Sequence, residues 1–344
     1  MNGHHRLMHV DGLRGLAVLL MVLVHAAATW EPHLEGAWLI FGVIVSAAGG
    51  LAAPLFVALL GWGLAQRPVS PFHRLWRAGF LFFCQFVVNL SAPHLFEPWT
   101  PGVLSLMGML MLLEPVWRNL LDSGQRSLRF FLAFAIVCLL TIVLTTWQGP
   151  SQWGPRVSTT TAEVLLRHVF LTGLYPVFPW IVFAWFGLTV ASHQSDSKRQ
   201  QWLRRVTAVG MGISACFLAL SIREGRPWAL PTGDATLTFF PANAAFLIAA
   251  ITGLSMLWWL AECFSRIHRL AGLGRVSLTV YVLHFIPFTV FHAYEDVHQW
   301  GPALTTLVVV GYTAIWVVAG TWWYRRFPDC TLEACMRGWR RRQA

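Results

Sequence analysis

Two ionisable side chains stand inside an otherwise apolar run, GLRGLAVLLMVLVHAAATW at residues 12–30. They are Arg14 and His25. Placing such a residue in a bilayer is costly, about 2.5–3.5 kcal/mol for a central Arg, so each is a functional candidate. On an α-helix eleven residues return to within roughly 20° of the starting direction and climb about 16 Å. Arg14 and His25 therefore share one face at two depths. Asp11 precedes Arg14 by three, a spacing that puts its carboxylate beside the guanidinium. The face offers a fixed cation suited to an anion at one end and a proton acceptor that works near neutral pH at the other. The plain alternative is that both side chains snorkel to opposite interfaces.

The elements that must hold this face follow from composition. The chain has 344 residues, 56% hydrophobic and 12% charged, with a mean hydropathy of +0.57. Soluble domains carry roughly 25% charged residues. So little charge excludes a soluble globular protein, a disordered chain and, despite a pI near 10.1, a nucleic-acid binder. Apolar blocks fall at 12–30, 37–65, 77–92, 103–118, 129–147, 172–192, 205–222, 240–263, 272–292 and 302–324. A span needs about 20 apolar residues. The blocks predict an all-α polytopic bundle of about ten transmembrane helices forming one domain over 1–344, with a basic tail at 325–344. Gly49, Gly50 and Pro54 predict a kink or re-entrant start in the second block. No small-residue cleavage site follows the first block, which reads as a retained helix rather than a signal peptide. The alternating strands of a membrane barrel are absent.

Orientation follows from Arg and Lys in the links. With the N-terminus inside, inner segments hold 20 of them, and outer segments hold four, Arg156, Arg167, Arg223 and Arg226. Both termini are expected in the cytoplasm. The outer links instead hold acidic and imidazole groups, among them Glu31, His33, Glu35, His94, Glu97, His168, Asp234, Glu295 and His298. Trp residues at link ends read as an interfacial belt. The six cysteines show neither metal spacing nor an outer pair, so no metal site is expected. Phosphate-loop and serine-hydrolase signatures are absent.

Arg14, ten intervening residues and His25, led in by VDGLRGLAVLLMVLVHA, resemble the Arg-X10-His motif and opening of the acyltransferase-3 family of membrane acyltransferases. Other runs are similar to the related heparan-α-glucosaminide N-acetyltransferases and their bacterial relatives. These are APLFVALLGWGLA at 53–65, PWTPGVLSLMGMLML at 98–112, GLYPVFPWIVFAWFGLTVA at 173–191 and FFPANAAFLIAAITGL at 239–254. GRVSLTVYVLH at 274–284 resembles a late helix of either.

The resemblance implies transfer of an acyl group, usually acetyl, from cytoplasmic acyl-coenzyme A to a hydroxyl or amine of an extracytoplasmic sugar or glycoconjugate. It implies a bacterial inner-membrane location and no permanently bound cofactor, and it leaves the oligomeric state open. Coenzyme A phosphates need cations, for which Arg14, Arg74, Arg77 and Arg275 are the candidates. Arg74 and Arg77, in the FHRLWRAG link, match a basic pair of the family. Two histidines compete as general base. His25 matches the acyltransferase-3 motif. His33 lies in the first outer link, where the glucosaminide acetyltransferases place a catalytic His, although those enzymes have Asn where His25 stands. Glu31 or Glu35 is placed to orient either. Tyr281 and His284 share a helix face and, with His94, Glu97 and Asp234, are candidates for the acyl path or the acceptor. A transporter of a small polar or sugar-like solute is the rival reading, since intramembrane Arg and His also line pathways. The missing internal repeat counts against it.

Overall fold

The computed structural model describes residues 7–30, 36–66, 69–121, 125–298 and 300–338. Of the described residues 79% are helical. In order the helices are α1 (Met8–Trp30), α2 (Leu39–Gln66), α3 (Pro71–Ser91), α4 (Val103–Leu112), α5 (Glu114–Leu121), α6 (Arg126–Val143), α7 (Gly154–Val157) and α8 (Ala162–Arg167). They continue with α9 (Val177–Ser192), α10 (Asp196–Glu224), α11 (Ala244–Cys263), α12 (Ala271–Gly274), α13 (Ser277–Leu283), α14 (Phe288–His298), α15 (Pro302–Arg326) and α16 (Leu332–Gly338). Among the described residues the only strands are a two-residue parallel pair, β1 (Ala229–Leu230) and β2 (Leu237–Thr238).

Among the described residues six helices are long and apolar enough to cross a membrane: α1, α2, α6, α10, α11 and α15. Three broken pairs raise the number to as many as nine if each pair is one span. They are α4 with α5 (bent 72°), Ala162–Thr172 with α9 (45°), and Ser265–Gly274 with Ser277–Ala293 (60°). These match nine of the ten apolar blocks. The tenth, 77–92, lies in α3, where Arg74, Arg77, Gln85 and Asn89 dilute the apolar character. α2 runs as one helix through Pro54.

The chain forms two compact units, Met1–Leu55 with Leu257–Ala344, and Phe56–Met256. In the first, α1 is the central element. It packs against Ser265–Leu270 and against α12, α13, α14 and α15. Its buried residues occur on all sides, the pattern of an interior helix. Glycines set the closeness of this packing. A Cβ on Gly274 would run into the carbonyl oxygen of Asp11, and one on Gly15 into that of Leu270. Only glycine lets the backbones of α1 and α12 approach this far, which fixes residue 275 beside residue 11.

In the second unit, α3 packs on α4. Gly102 at the start of α4 supplies no side-chain cap, and Gln85 of α3 fills the role, its Oε1 accepting from Leu104 N at 3.1 Å. Gln85 in turn donates to Asn89 (2.9 Å), and Asn89 donates to the carbonyls of Pro98 (3.0 Å) and Thr100 (2.8 Å). Along α6, Leu132, Ile136, Leu139 and Val143 form an exposed stripe. Water would disfavour such a stripe, whereas bilayer hydrocarbon does not. Val209, Met211 and Ile213 of α10 are exposed in the same way.

Candidate functional site

The N-terminal end of α1 carries a buried carboxylate between two guanidinium groups. Asp11 is 2% exposed. Its Oδ1 accepts from Arg14 Nη1 at 3.2 Å, and its Oδ2 from Arg275 Nε at 3.1 Å. The Asp11–Arg14 contact is one the i,i+3 spacing requires. Arg275 comes from the break between α12 and α13, brought in by the glycine contact. The Tyr324 hydroxyl accepts from Arg275 Nη1, and the Tyr324 ring lies 5.0 Å from the Arg275 guanidinium carbon. Two cations share one anion, so these three groups sum to one positive charge. Both arginines keep partial solvent access, 30% for Arg14 and 23% for Arg275. The arrangement holds guanidinium groups in fixed directions suited to phosphate oxygens.

Eleven residues along α1, His25 meets His284. His25 Nδ1 stands 2.9 Å from His284 Nε2. The ring centres are 5.2 Å apart with planes 10° from parallel. That separation equals the nitrogen–nitrogen distance plus one ring radius on each side, the greatest it permits. The two nitrogens therefore lie on the line of centres, and the rings meet edge to edge in nearly one plane. His284 is fully buried, its Nδ1 3.0 Å from the Val280 carbonyl oxygen. Tyr312 donates its hydroxyl to the His284 carbonyl at 2.5 Å. Phe285 lies against both rings, at 4.7 Å from His25 and 4.2 Å from His284. Tyr281 presents its ring edge-on at 6.3 Å and 5.9 Å. His25 itself is half-buried. Of the sequence candidates, His25, Tyr281 and His284 are thus brought together, as are Arg14 and Arg275.

Arg74 and Arg77 lie in the second unit and not in a link. Ser70, whose Oγ accepts from His73 N at 3.4 Å, and Pro71 start α3 before them, so both arginines belong to its first two turns. Arg74 donates to Glu114 Oε2 at 2.7 Å, and Arg118 to Glu114 Oε1 at 2.7 Å. Arg118 also donates to the Leu64 carbonyl at 3.4 Å. The second unit thereby repeats the motif of a buried carboxylate held by two arginines. Arg77 is half-buried. Sequence reading missed Glu114 and Arg118, although their i,i+4 spacing was visible.

The remaining candidates scatter. Glu97 is exposed, and its Oε2 accepts from Thr159 N at 2.8 Å. Asp234 is 87% exposed and 4.0 Å from Arg226 Nη1. His94 is half-buried. Glu31, His33 and Glu35 lie outside the described residues. Arg156 is a buried staple. Its guanidinium donates to the carbonyls of Gln148 (2.8 Å), Gly149 (3.3 Å), Thr172 (3.0 Å) and Gly173 (2.9 Å). Burial pushes its pKa down to about 10. Among the described residues no group of three or more His, Cys, Asp or Glu could hold a metal ion.

A helical integral membrane protein with an arginine and a histidine on one candidate span is the class these observations define. The acyltransferase-3 family model, described as an acyltransferase domain, matches residues 9–322, and the chain belongs to that family. It is a membrane acyltransferase in general type. No curated protein matches the chain.

Proposed function

We propose that the protein moves an acyl group, acetyl in the simplest case, from cytoplasmic acyl-coenzyme A to a hydroxyl or amine of an extracytoplasmic sugar or glycoconjugate, with His25 as general base. The observation that carries this is that one helix, α1, holds Arg14 in the Asp11–Arg275 cluster and His25 in the histidine pair eleven residues further on. Under this reading α3 crosses as the tenth span and both termini are cytoplasmic, in keeping with the 20 basic residues counted on that side. Arg14 and Arg275 grip coenzyme A phosphate, and Arg74 and Arg77 are candidate cations of the second unit. The pantetheine arm then carries the thioester toward His25.

The acceptor O–H or N–H gives its proton to His25 as its oxygen or nitrogen attacks the thioester carbonyl. The new carbon–oxygen or carbon–nitrogen bond forms, and the carbon–sulfur bond breaks. Coenzyme A leaves as thiolate and takes the proton from the imidazolium, which resets the base. Tyr281 stands where it can line the acyl path. His94, Glu97 and Asp234 are the acceptor-side candidates, and His33 with Glu35 is the competing base.

The test uses purified protein, labelled acetyl-coenzyme A and glucosamine as a probe acceptor bearing both hydroxyls and an amine. Thiol release and coenzyme A binding are measured for wild type, Arg14→Ala, His25→Ala and His33→Ala. Loss of a general base lowers turnover by about 10²–10⁴-fold, expected for His25→Ala alone. Arg14→Ala weakens coenzyme A binding. A wild type that binds no coenzyme A at millimolar ligand refutes the reading. Full activity in His25→Ala with loss in His33→Ala moves the base to His33.

A further inference from the structure

We infer that His284 is a positioning residue that fixes which nitrogen of His25 carries the proton, making His25 Nε2 the basic atom; this rests on the reading of His25 as general base.

The argument starts at the far end of the chain of contacts. The Val280 carbonyl oxygen can only accept, so His284 Nδ1, 3.0 Å away, must carry a hydrogen and donate it. In a neutral ring the other nitrogen, Nε2, then holds a lone pair. His25 Nδ1 faces that lone pair at 2.9 Å, in line with both ring centres. It must therefore be the donor, and neutral His25 keeps its lone pair on Nε2. The opposite assignment fails at one contact whichever way it is drawn. A hydrogen on His284 Nε2 leaves two lone pairs opposed at Val280. A hydrogen on His25 Nε2 leaves two opposed between the rings.

The relay is held rigidly. His284 is fully buried, with Phe285 against its ring, Phe288 edge-on at 5.6 Å, and its own carbonyl bound by Tyr312. A second ring that orients a functional histidine through its remote nitrogen is the general device by which a protein chooses a tautomer. Here the orienting group is a neutral imidazole backed by a helix carbonyl. It directs the proton without adding a charge to the apolar interior. His284 has no accessible surface of its own, so its part in the reaction is through His25.

The experiment uses full-length protein in detergent micelles, labelled with ¹⁵N-histidine. Two-bond nitrogen–proton correlations distinguish Nδ1–H from Nε2–H rings, and the His25 signals are assigned by their loss in His25→Gln. Wild type is expected to show His25 as the Nδ1–H form. In His284→Leu the Nε2–H form of His25 should grow, and kcat for thiol release from acetyl-coenzyme A with glucosamine should fall about 10²-fold, with KM for acetyl-coenzyme A unchanged. His284→Gln places an amide oxygen near the lost Nε2 and still accepts from His25, so it should recover part of kcat and of the Nδ1–H population. If His284→Leu does not fold, the wild-type spectrum and His284→Gln decide alone. His25 as Nε2–H in wild type overturns the inference. So does an unchanged kcat in a folded His284→Leu. If His25 is Nδ1–H but His25→Ala keeps full turnover, the base reading has failed, and the catalytic meaning of His284 falls with it.

Discussion

Replacing Asp11 by Asn tests whether the carboxylate organises the two arginines. Each ion pair has a gross Coulomb attraction of about 4 kcal/mol at 4 Å in an effective dielectric of 20. Most of that is returned to solvent, because Arg14 is 30% and Arg275 23% exposed. Breaking a fully buried pair costs about 3–5 kcal/mol, and an exposed pair contributes about 0.2–1 kcal/mol. A carboxylate that is 2% exposed with two half-wet partners falls between, at about 2 kcal/mol for its loss. Asn still accepts one of the two bonds, at 3.2 or 3.1 Å, which keeps the figure below the buried limit. Thermal unfolding in detergent should fall by roughly 3 °C. For coenzyme A two effects oppose each other. Removing the anion raises the local positive charge, yet it frees both guanidinium groups from fixed directions. Bidentate phosphate contact depends on direction, so affinity is expected to weaken about tenfold, equivalent to about 1.4 kcal/mol. A double-mutant cycle with Arg275→Met isolates the coupling. A melting temperature unchanged from wild type, or tighter coenzyme A binding, refutes the reasoning.

Two other perturbations address the frame around the site. Arg156→Leu removes the donors that serve the carbonyls of Gln148, Gly149, Thr172 and Gly173, and should cost about 3 kcal/mol, read as a melting temperature lower by several degrees; a shift within experimental error would show that the loop satisfies those carbonyls without it. Glu333→Ala strips a cap from α13, since Glu333 Oε1 accepts from Leu278 N at 2.6 Å and Oε2 from Thr279 Oγ1 at 2.7 Å. That loss should destabilise by about 1 kcal/mol and speed tryptic cleavage at Arg337, whereas an unchanged cleavage rate would deny that Glu333 ties α16 to α13.

What was legible in the sequence was whatever a single helix encodes. The shared face of Arg14 and His25 and the placement of Asp11 beside Arg14 follow from 3.6 residues per turn, and α1 is one unbroken helix over that stretch. The contacts between helices carry no such period. Arg275 reaches Asp11 across 264 positions because Gly274 lets α12 meet the α1 backbone, and a lone glycine in an apolar block does not announce what it meets. The His25–His284 pair spans 259 positions, and the three-residue spacing from Tyr281 to His284 pointed only to a shared face. Arg74 and Arg77 went astray for a different reason. Their charge drew them into a link, although Ser70 and Pro71 were a helix-start signal standing in the open. Positive-inside counting treats every cation near a helix end as solvent-facing, and α3 shows how that fails. Its arginine is held by Glu114, a carboxylate the apolar block 103–118 had hidden. An acid inside an apolar block is as informative as a base, and a buried Asp or Glu with two arginines in reach is the better guide to where the basic residues of such a chain converge.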